Sequence, residues 1–554
     1  MLGAAALAAS GPLGRPCALP VGDQVVVSSC SETLLDHGEE WGGKGITAQI
    51  IMQCAQGHRQ RFGDGGLRVA ALACELVDSV QRQGLHHLVA ADSFQRAAAS
   101  VDRWVQQAVD GGSLGKRMEW ASLHDASSLV ASTILAKPLL HSLCQTPSDI
   151  ASLCNTTLQS FLHALNEQET GALVPSVRVV GSMGRGIQES QALLSTVLLI
   201  LPTPPRLPQD QGDPTALPIV SVALFDVSVQ AETNSTPGLA PQPSGSSADG
   251  VLEDGEKHML ERVLGTLVKL RVGVVASQKL VHPWLREALG RSGIVVLERL
   301  SILHISSVQQ LSGALPLSDW TAAGLDASKL GVCHSPTQRL VGSQKFLQLV
   351  APAEDDLGPS ARATPEWRTT VAHARQRRRD CATLLLCAPE ETSLRELEAC
   401  VKGCLKCLSA GLADPALVSS AGYWEAGAVQ FLREERRVEA AAADSASPSA
   451  RRMRLECWDS FVSAFEKVAL KRCGGAVAWE KAQESASSAL ARGGTSSTEF
   501  EALDCGNVLG GERMGLGHVE VAESVRSAVQ VAVQAAVCAI RVRVDARGLG
   551  GSGK

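Results

Sequence analysis

The hydrophobic period of the chain changes twice, and this change limits the folds that the sequence can adopt. Up to about residue 165 the apolar residues recur at helical spacing. The clearest stripe runs from Val69 to Val80, with apolar residues at i, i+3, i+4, i+7, i+8 and i+11. A stripe of this width packs one face of a helix into a core. The first block is therefore predicted to be mainly helical.

The middle block, from about residue 177 to residue 349, has a different pattern. Short β-branched runs alternate in it with helical patterns. Strands and helices that alternate at this length favour an α/β domain with parallel strand pairing. The predicted strands are 177–180, 221–229, 272–276 and 294–297, and the predicted helices are 259–270 and 282–289.

After residue 383 the helical pattern returns, at 394–408, 457–471 and 523–540. The last of these segments consists largely of Val and Ala, so it is predicted to be buried on most sides. The order of helical, α/β and helical blocks predicts one helical domain that is interrupted by an inserted module.

Three stretches have the composition of linkers: 231–256, 352–379 and 438–452. The first is crowded with Pro, Gly and Ser, which cannot bury enough apolar surface to stay ordered. The second ends in a basic run at Arg375, Arg377, Arg378 and Arg379. A solvated charged loop is favoured for this run over a nuclear localisation signal.

Charge and cysteine content exclude several classes of protein. The 51 basic and 57 acidic residues give a net charge of −6, so no global basic field exists to hold nucleic acid. Apolar runs such as 194–201 are much shorter than the roughly 20 residues that span a bilayer, so no membrane span is predicted. Cys400, Cys404 and Cys407 include a CxxC but have no second pair and no nearby histidine. Buried thiols in a reduced, cytosolic protein are therefore favoured over a metal site.

Gly63, Asp64, Gly65 and Gly66 stand just before the first amphipathic helix. Glycines let backbone N–H groups turn toward an anion, and the helix N-terminus adds partial positive charge. Asp64 would repel a phosphate, so its useful role would be to hold a magnesium ion that bridges to the phosphate. On the residues alone, Asp64 as a plain helix cap is the favoured alternative. The absence of GxxxxGK[ST] excludes a standard P-loop site.

Taken in chain order, these features resemble the group II chaperonin family over nearly the whole chain. Gly11-Pro12-Leu13-Gly14-Arg15 matches the first half of the family's GPxGxDKM, and Gly63-Asp64-Gly65 matches the start of its GDGTT loop. In the middle block, VALFDVSV (222–229) and VASQKLVHPWLREALGRSGIVVLERL (275–300), followed by LSGA (311–314), are similar to the family's apical pattern. Several spaced matches in the right order carry more weight than one loop.

The resemblance implies a multidomain α and α/β protein with helical equatorial, small intermediate and α/β apical domains. The implied boundaries are 1–140 and 401–554 for the equatorial domain, 141–185 and 351–400 for the intermediate domain with a linker, and 186–350 for the apical domain. ATP and magnesium are the implied cofactors, with Asp64 as the magnesium ligand and Glu396 as the catalytic residue that positions the attacking water. The implied nucleotide-binding residues are Gly11, Pro12, Gly14, Gly63, Asp64, Gly65, Gly422, Glu425 and Glu520.

The catalytic positions depart from the family pattern. Cys30 stands where the family has a carboxylate near magnesium, and Gly66 and Leu67 replace two threonines. Glu396 is one methylene longer than the family's aspartate, and a misplacement of about 1 Å can cost on the order of 100-fold in rate. Loop 420–425 keeps only the type of Gly422 and Glu425. We therefore expect weak or absent ATP hydrolysis. The family's first helix is expected to have no room before Gly11.

Three phrases, DGGLRVAALACELVDSVQRQGL, SQKLVHPWL and CATLLLCAPEETSLRELEAC, are similar to a divergent chaperonin-like branch of this family. That likeness implies a protein that assists the folding or assembly of other proteins, in particular assembly of the BBSome, the ciliary trafficking complex. The implied partners are related chaperonin-like subunits, the cytosolic chaperonin and BBSome subunits. The implied locations are the cytosol, the centrosome and the ciliary base, and the nucleus if the basic run is a nuclear signal.

Two other functions compete with this one. The first is an active ATP-dependent chaperone subunit, which Asp64, Glu396 and the glycine loop favour. The second is an unrelated α/β enzyme of Rossmann type. It needs a glycine fingerprint after the first strand of the middle block, and the sequence has none there.

Overall fold

The computed structural model describes residues 2–11, 14–39, 45–112, 114–121, 123–167, 172–200, 218–229, 254–342, 344–357, 364–420, 422–442, 447–491 and 519–550. The chain divides into two compact units. Unit 1 contains Met1–Leu158, Met183–Ser190 and Leu386–Lys554, and unit 2 contains Gln159–Ser182 and Gln191–Leu385. The two ends of the sequence thus belong to one unit. The finer boundaries of equatorial, intermediate and apical domains stay a prediction.

Unit 1 is built mainly from helices, with short strands between them. In chain order its elements are α1 (Leu2–Ala9), β1 (Cys17–Val21), β2 (Gln24–Ser28), α2 (Ser31–Asp36), α3 (Ile46–Phe62), α4 (Gly66–Gln83), α5 (His87–Asp110), β3 (Gly115–Arg117), α6 (His124–Leu135), α7 (Pro147–His163), α12 (Glu391–Ala413), β17 (Ala416–Ser419), α13 (Tyr423–Ala442), α14 (Pro448–Cys473), α15 (Ala476–Ala491), β18 (Val519–Val521) and α16 (Ala522–Gly550).

A large apolar core in unit 1 is formed by residues from both ends of the chain. The core joins α1, α4 and α5 to α13, α14 and α16. The predicted stripe on α4, from Val69 to Val80, is buried at every position. Full burial of one large apolar side chain contributes about 1.5–3 kcal/mol. Trp424 and Trp458 are the largest fully buried side chains of the described residues. Neither end of the sequence can bury its apolar faces without the other.

Helix α16 lies inside this core, where it packs against α3, α4 and α5. Its segment Ala522–Val542 is long and apolar enough to cross a membrane by length and composition, but 56% of its most apolar window is buried within the protein. Val525, Val529 and Val533 are at most 1% exposed. The burial accounts for the Val- and Ala-rich composition, as expected for a helix packed on most sides.

Unit 2 contains the middle block. In chain order its elements are β4 (Leu165–Glu167), β5 (Leu173–Pro175), β6 (Val177–Met183), β7 (Gln191–Leu194), β8 (Thr196–Leu199), β9 (Ile219–Phe225), α8 (Asp254–Lys269), β10 (Val272–Ser277), α9 (Pro283–Arg291), β11 (Val295–Leu297), α10 (Ile302–Ser312), β12 (Pro316–Leu317), β13 (Gly331–His334), β14 (Thr337–Val341), β15 (Gln344–Val350), α11 (Pro365–Arg377) and β16 (Ala382–Ala388).

The central sheet of unit 2 has the strand order β11-β10-β9-β12, and β13 also pairs with β9. The pairs among the first four strands are parallel, whereas β13 is antiparallel to β9. Val222 and Leu224 of β9 contribute to the core on one face, and Ala223 and Phe225 contribute to the core on the other. Burial on both faces explains why these strands have continuous apolar sequences. The predicted parallel α/β arrangement is confirmed.

Two of the three predicted linkers contain helices. Segment 352–379 contains α11, whose N-cap Thr364 accepts a hydrogen bond from the Trp367 N–H at 3.3 Å. Segment 438–452 contains the end of α13 and the start of α14, where Ser447 accepts from the Ala450 N–H at 3.3 Å. The Thr, Ser and Pro residues that suggested loops are therefore N-caps and first-turn prolines. Most of the remaining predicted linker, 231–256, lies outside the described residues.

Two further expectations were wrong. The basic run is not a solvated loop, because Arg375 and Arg377 lie in the last turn of α11, and Arg377 and Arg378 are half-buried. The ten residues before Gly11 do have room for a helix, since α1 forms there and packs against α4.

Candidate functional site

A small cavity in unit 1 is lined by many of the residues that the resemblance assigned to nucleotide. Its volume is about 90 Å³, and Gly11, Asp64, Gly65, Gly422 and Glu520 are among its lining residues. These residues lie up to 509 positions apart in the sequence (520 minus 11). The helical core of unit 1 therefore brings the two ends of the chain together around one cavity. Pockets that hold drug-sized ligands usually measure about 300–1,000 Å³.

The predicted glycine loop connects α3 to α4 with two residues in the left-handed region. Gly63 ends α3 at φ 83° and Gly65 is the N-cap of α4 at φ 82°. A Cβ on Gly65 would lie 2.8 Å from His58 Nε2, and one on Gly63 would lie 2.3 Å from the Gly403 carbonyl oxygen. Only glycine satisfies both the backbone angle and the space at these positions. The loop geometry is thus built into the fold.

Asp64 does not cap α4, because the N-cap is Gly65 and makes no side-chain cap hydrogen bond. Its carboxylate instead accepts a hydrogen bond from Lys137 Nζ at 2.9 Å. Burial raises the pKa of Asp64, but the Lys137 ammonium and its hydrogen bond lower it more, so the pKa is below its ordinary value. Burial lowers the pKa of Lys137, and Asp64 raises it more, so that pKa is above its ordinary value. The pair is therefore fully ionised at neutral pH.

The ion pair between Asp64 and Lys137 affects how Asp64 could bind magnesium. The ammonium of Lys137 holds the carboxylate that the resemblance assigned to the metal. Cys30, near Lys137, is a buried thiol whose pKa is raised chiefly by burial and next by Glu396, so it supplies no thiolate. No group of three or more His, Cys, Asp or Glu suited to a metal ion occurs among the described residues. Asp64 and Cys30 therefore do not offer magnesium the two free carboxylates that the resemblance implies.

Two arginines and two glutamates meet beside the glycine loop. Arg68, in the first turn of α4, is ion-paired with Glu520 and lies 3.7 Å from Glu425. Arg472, in the last turn of α14, donates to Glu425 at 3.0 Å and to Glu520 at 3.1 Å. Ser420 donates to Glu520 at 2.7 Å. The two carboxylates that were predicted to face nucleotide are thus neutralised by the protein itself.

Burial and the arginines act in opposite directions on these carboxyl groups. For Glu520, burial raises the pKa, but Arg68 and Arg472 lower it more, and the pKa falls well below its ordinary value. For Glu425, burial outweighs Arg472 and Arg68, and the pKa is raised. Glu520 is therefore the more strongly held anion of the two.

Glu396, the predicted catalytic residue, is 2% exposed and does not line the cavity. One carboxylate oxygen accepts from the Ser28 hydroxyl at 2.7 Å. The other accepts from the Ser29 N–H at 2.8 Å and from the Ser29 hydroxyl. Ser29 itself lines the cavity, so Glu396 lies behind the wall. Its oxygens bind the end of β2 to α12.

Some of the other predicted residues line the cavity and some do not. Gly11 and Gly422 line the cavity with φ values of 83° and 97°. Gly14 and Gly63 do not line it, although Gly14 donates to the Gly11 carbonyl at 2.9 Å. Pro12 lies outside the described residues. Each predicted role in nucleotide binding stays a prediction.

Sequence reasoning missed Arg68, Lys137 and Arg472. Only Arg68 carried a signal, because a cation in the first turn of a helix opposes the helix dipole and therefore calls for a nearby anion. Arg472 and Lys137 look ordinary in the sequence. Arg472 lies in the last turn of its helix, where cations are favoured.

Comparison with known proteins identifies the family of the chain. Residues 11–542 match the model of the TCP-1/cpn60 chaperonin family. Molecular chaperone MKKS of Mus musculus is 22% identical over 435 residues, which cover 77% of this chain and 69% of that protein. The Homo sapiens protein of the same name is 22% identical over 438 residues (77% and 68%). T-complex protein 1 subunit delta of Debaryomyces hansenii is 20% identical over 309 residues (53% of each chain).

These matches confirm the predicted fold class, multidomain α and α/β of the chaperonin kind. They also confirm the narrower likeness, carried by three phrases of the sequence, to a divergent branch, which is that of the McKusick–Kaufman protein, MKKS. The family model spans every lining residue of the cavity except Ala9 and Ser10. The chain belongs to the TCP-1/cpn60 chaperonin family.

Proposed function

We propose that the protein is a chaperonin-like folding and assembly factor that has no productive ATPase. The observation that carries this proposal is the position of Glu396, whose two oxygens are bound by Ser28 and Ser29. A residue that positions water must have a free oxygen directed at the reacting group. Glu396 is buried behind Ser29, so the catalytic step lacks its carboxylate.

The state of the predicted magnesium ligands supports the same conclusion. Phosphoryl transfer depends on a metal that neutralises charge on the phosphates. In this chain Asp64 is held by Lys137, and Cys30 stands where the resemblance implies a second carboxylate. Without the metal ligands, a bound triphosphate would have neither charge neutralisation nor alignment.

The alternative is an active ATP-dependent chaperone subunit. It is favoured by the retained Asp64 and by the two left-handed glycines of the loop, Gly63 and Gly65. Steady-state phosphate release separates the two functions. We expect the wild-type rate to equal that of Asp64→Asn. Turnover in the usual range of about 1–100 per second that Asp64→Asn abolishes would establish the alternative.

A gain-of-function variant tests the cause. Cys30→Asp with Gly66→Thr and Leu67→Thr restores the residues of the family pattern. A Cβ on Gly66 would lie 2.6 Å from Leu35 Cδ1, so the variant without that change is made in parallel. We expect either variant to raise hydrolysis if nucleotide enters the cavity. If neither gains activity, the defect lies elsewhere, such as in loop 420–425.

The proposed clients and partners come from the McKusick–Kaufman likeness. We propose that the protein assists assembly of the BBSome in a mixed complex with related chaperonin-like subunits and the cytosolic chaperonin, near the centrosome and ciliary base. The relatives named molecular chaperone MKKS support a chaperone role. The test is the native mass of a tagged protein together with the identity of what co-purifies. A stable homomeric double ring that closes on ATP would refute this proposal.

A further inference from the structure

Four charged side chains in unit 1 come from four different elements and form one buried cluster. Arg68 lies on α4, Glu425 on α13, Arg472 on α14 and Glu520 on β18. The side chains of Arg68 and Glu425 are each 5% exposed, that of Arg472 is 17% exposed and that of Glu520 is 23% exposed. We call these four residues the arginine latch.

We propose that the arginine latch takes the place of a bound nucleotide, closing the cavity from within and blocking nucleotide binding. This inference rests on the proposed function, because it names what prevents the cavity from serving as an ATP site. It also goes further, since a protein without a catalytic carboxylate could still bind nucleotide.

Charge balance is the first argument. The latch holds two cations and two carboxylates. It therefore offers no net positive charge to a polyphosphate. An incoming phosphate would have to separate Arg472 from Glu425 and Glu520, and both carboxylates would then repel it at close range. Lys137 is committed in the same way to Asp64.

The latch is also fixed in position. The Arg68 guanidinium carbon lies 5.4 Å from the centre of the Trp424 ring, a cation–π contact in the core. The backbone of Arg472 lies against Gly11, where a Cβ would come within 2.7 Å of the Arg472 carbonyl oxygen. The Arg68 side chain cannot turn away without losing its contact with Trp424, and the backbone that carries Arg472 has no room to move toward Gly11.

One feature of the latch shows that it is not an optimised salt bridge. Arg68 Nε and Glu425 Oε2 are buried, and no hydrogen-bond partner exists for either atom among the described residues. A purely structural ion-pair network would normally satisfy these atoms. Their location beside a cavity of about 90 Å³ fits a site in which protein charges have replaced ligand charges.

The experiment is isothermal titration of the full-length protein with MgADP and with MgATP. The latch variant is Arg472→Met with Glu425→Gln, which removes one cation and one anion together and so leaves no unpaired charge. The matched control is Arg436→Met with Asp459→Asn. That pair joins the same two helices, α13 and α14, but its side chains are 43% and 49% exposed. Circular dichroism verifies that each variant is folded.

We expect no detectable binding of either nucleotide to the wild type or the control. The latch variant should bind with a dissociation constant at least tenfold below the highest value that the titration can measure. A folded latch variant that binds no better than the wild type would overturn the proposal. If that variant does not fold, Glu425→Gln alone decides, since it keeps both arginines and gives the latch a net positive charge. Binding gained by the Glu425→Gln variant supports the latch, and no gain refutes it.

The result is distinguishable from failure of the proposed function. A wild-type protein that binds MgATP without hydrolysing it would overturn the latch and leave the proposed function standing. A wild-type protein that binds and hydrolyses MgATP would overturn both.

Discussion

His58 should make the stability of unit 1 depend on pH in a range where few other groups titrate. The residue lies on α3 and is 4% exposed. Its Nε2 atom is buried without a hydrogen-bond partner among the described residues, and its ring packs 4.9 Å from that of Phe62. Burial, followed by the nearby Arg68 guanidinium, lowers the pKa of His58 from 6.5 to about 4. The folded protein therefore keeps this imidazole neutral.

The direction of this pH dependence follows from the uptake of a proton on unfolding. Between pH 6.5 and about 4 the unfolded chain protonates His58 and the folded chain does not, so acid favours unfolding. The stabilising contribution is complete above pH 6.5 and is lost as the pH falls through this window. His58 contributes at most about 3.4 kcal/mol to the free energy of unfolding by this effect, and about 2 kcal/mol of it is lost between pH 7 and pH 5.

The assay is urea unfolding at pH 7 and at pH 5, followed by tryptophan fluorescence, since Trp104, Trp424 and Trp458 lie in the core of unit 1. Between these two pH values, the free energy of unfolding should fall by about 2 kcal/mol less in His58→Gln than in the wild type. His86→Gln, at an exposed histidine, is the control and should behave like the wild type. Equal pH dependence in all three proteins would refute the reasoning.

Three further substitutions test the packing around the site by urea unfolding at pH 7. Glu396→Ala leaves the buried donors of Ser28 and Ser29 without an acceptor and should lower the free energy of unfolding by about 3 kcal/mol. Glu396→Gln keeps an acceptor and should lower it by less, so equal losses would contradict the assigned hydrogen bonds. Gly65→Ala should cost more than Gly84→Ala, because both positions have positive φ but only Gly65 has a side chain within 4 Å, and the reverse order would contradict the loop geometry. Trp424→Ala empties a fully buried position and should cost about 3–5 kcal/mol, so a loss below about 1 kcal/mol would contradict the described core.

Local pattern was sufficient to predict much of the fold. The stripe from Val69 to Val80 determines which face of α4 is buried, because residues three and four apart lie on one side of a helix. Parallel pairing in unit 2 followed from β-branched runs of the right length between helices. Composition misled where Thr364 and Ser447 start helices, since the same residue types serve as N-caps and as loop residues.

The glycine loop was also visible in the sequence, but its electrostatic state was not. Asp64 has two plausible local roles, as a cap or as a metal ligand, and the fold assigns it to Lys137, 73 residues away. Likewise, Glu396 is bound by serines that precede it by 368 and 367 positions.

The sequence by itself determined which segments are helices and strands, which faces are apolar, and which family the chain resembles. Only the tertiary structure decided that Arg68 and Arg472 meet Glu425 and Glu520. The physical reason is range. Helix and strand patterns depend on neighbours a few positions apart, whereas the interaction of two charges depends on their distance in space and on the burial of both. Both quantities arise only when the distant ends of the chain pack into one core.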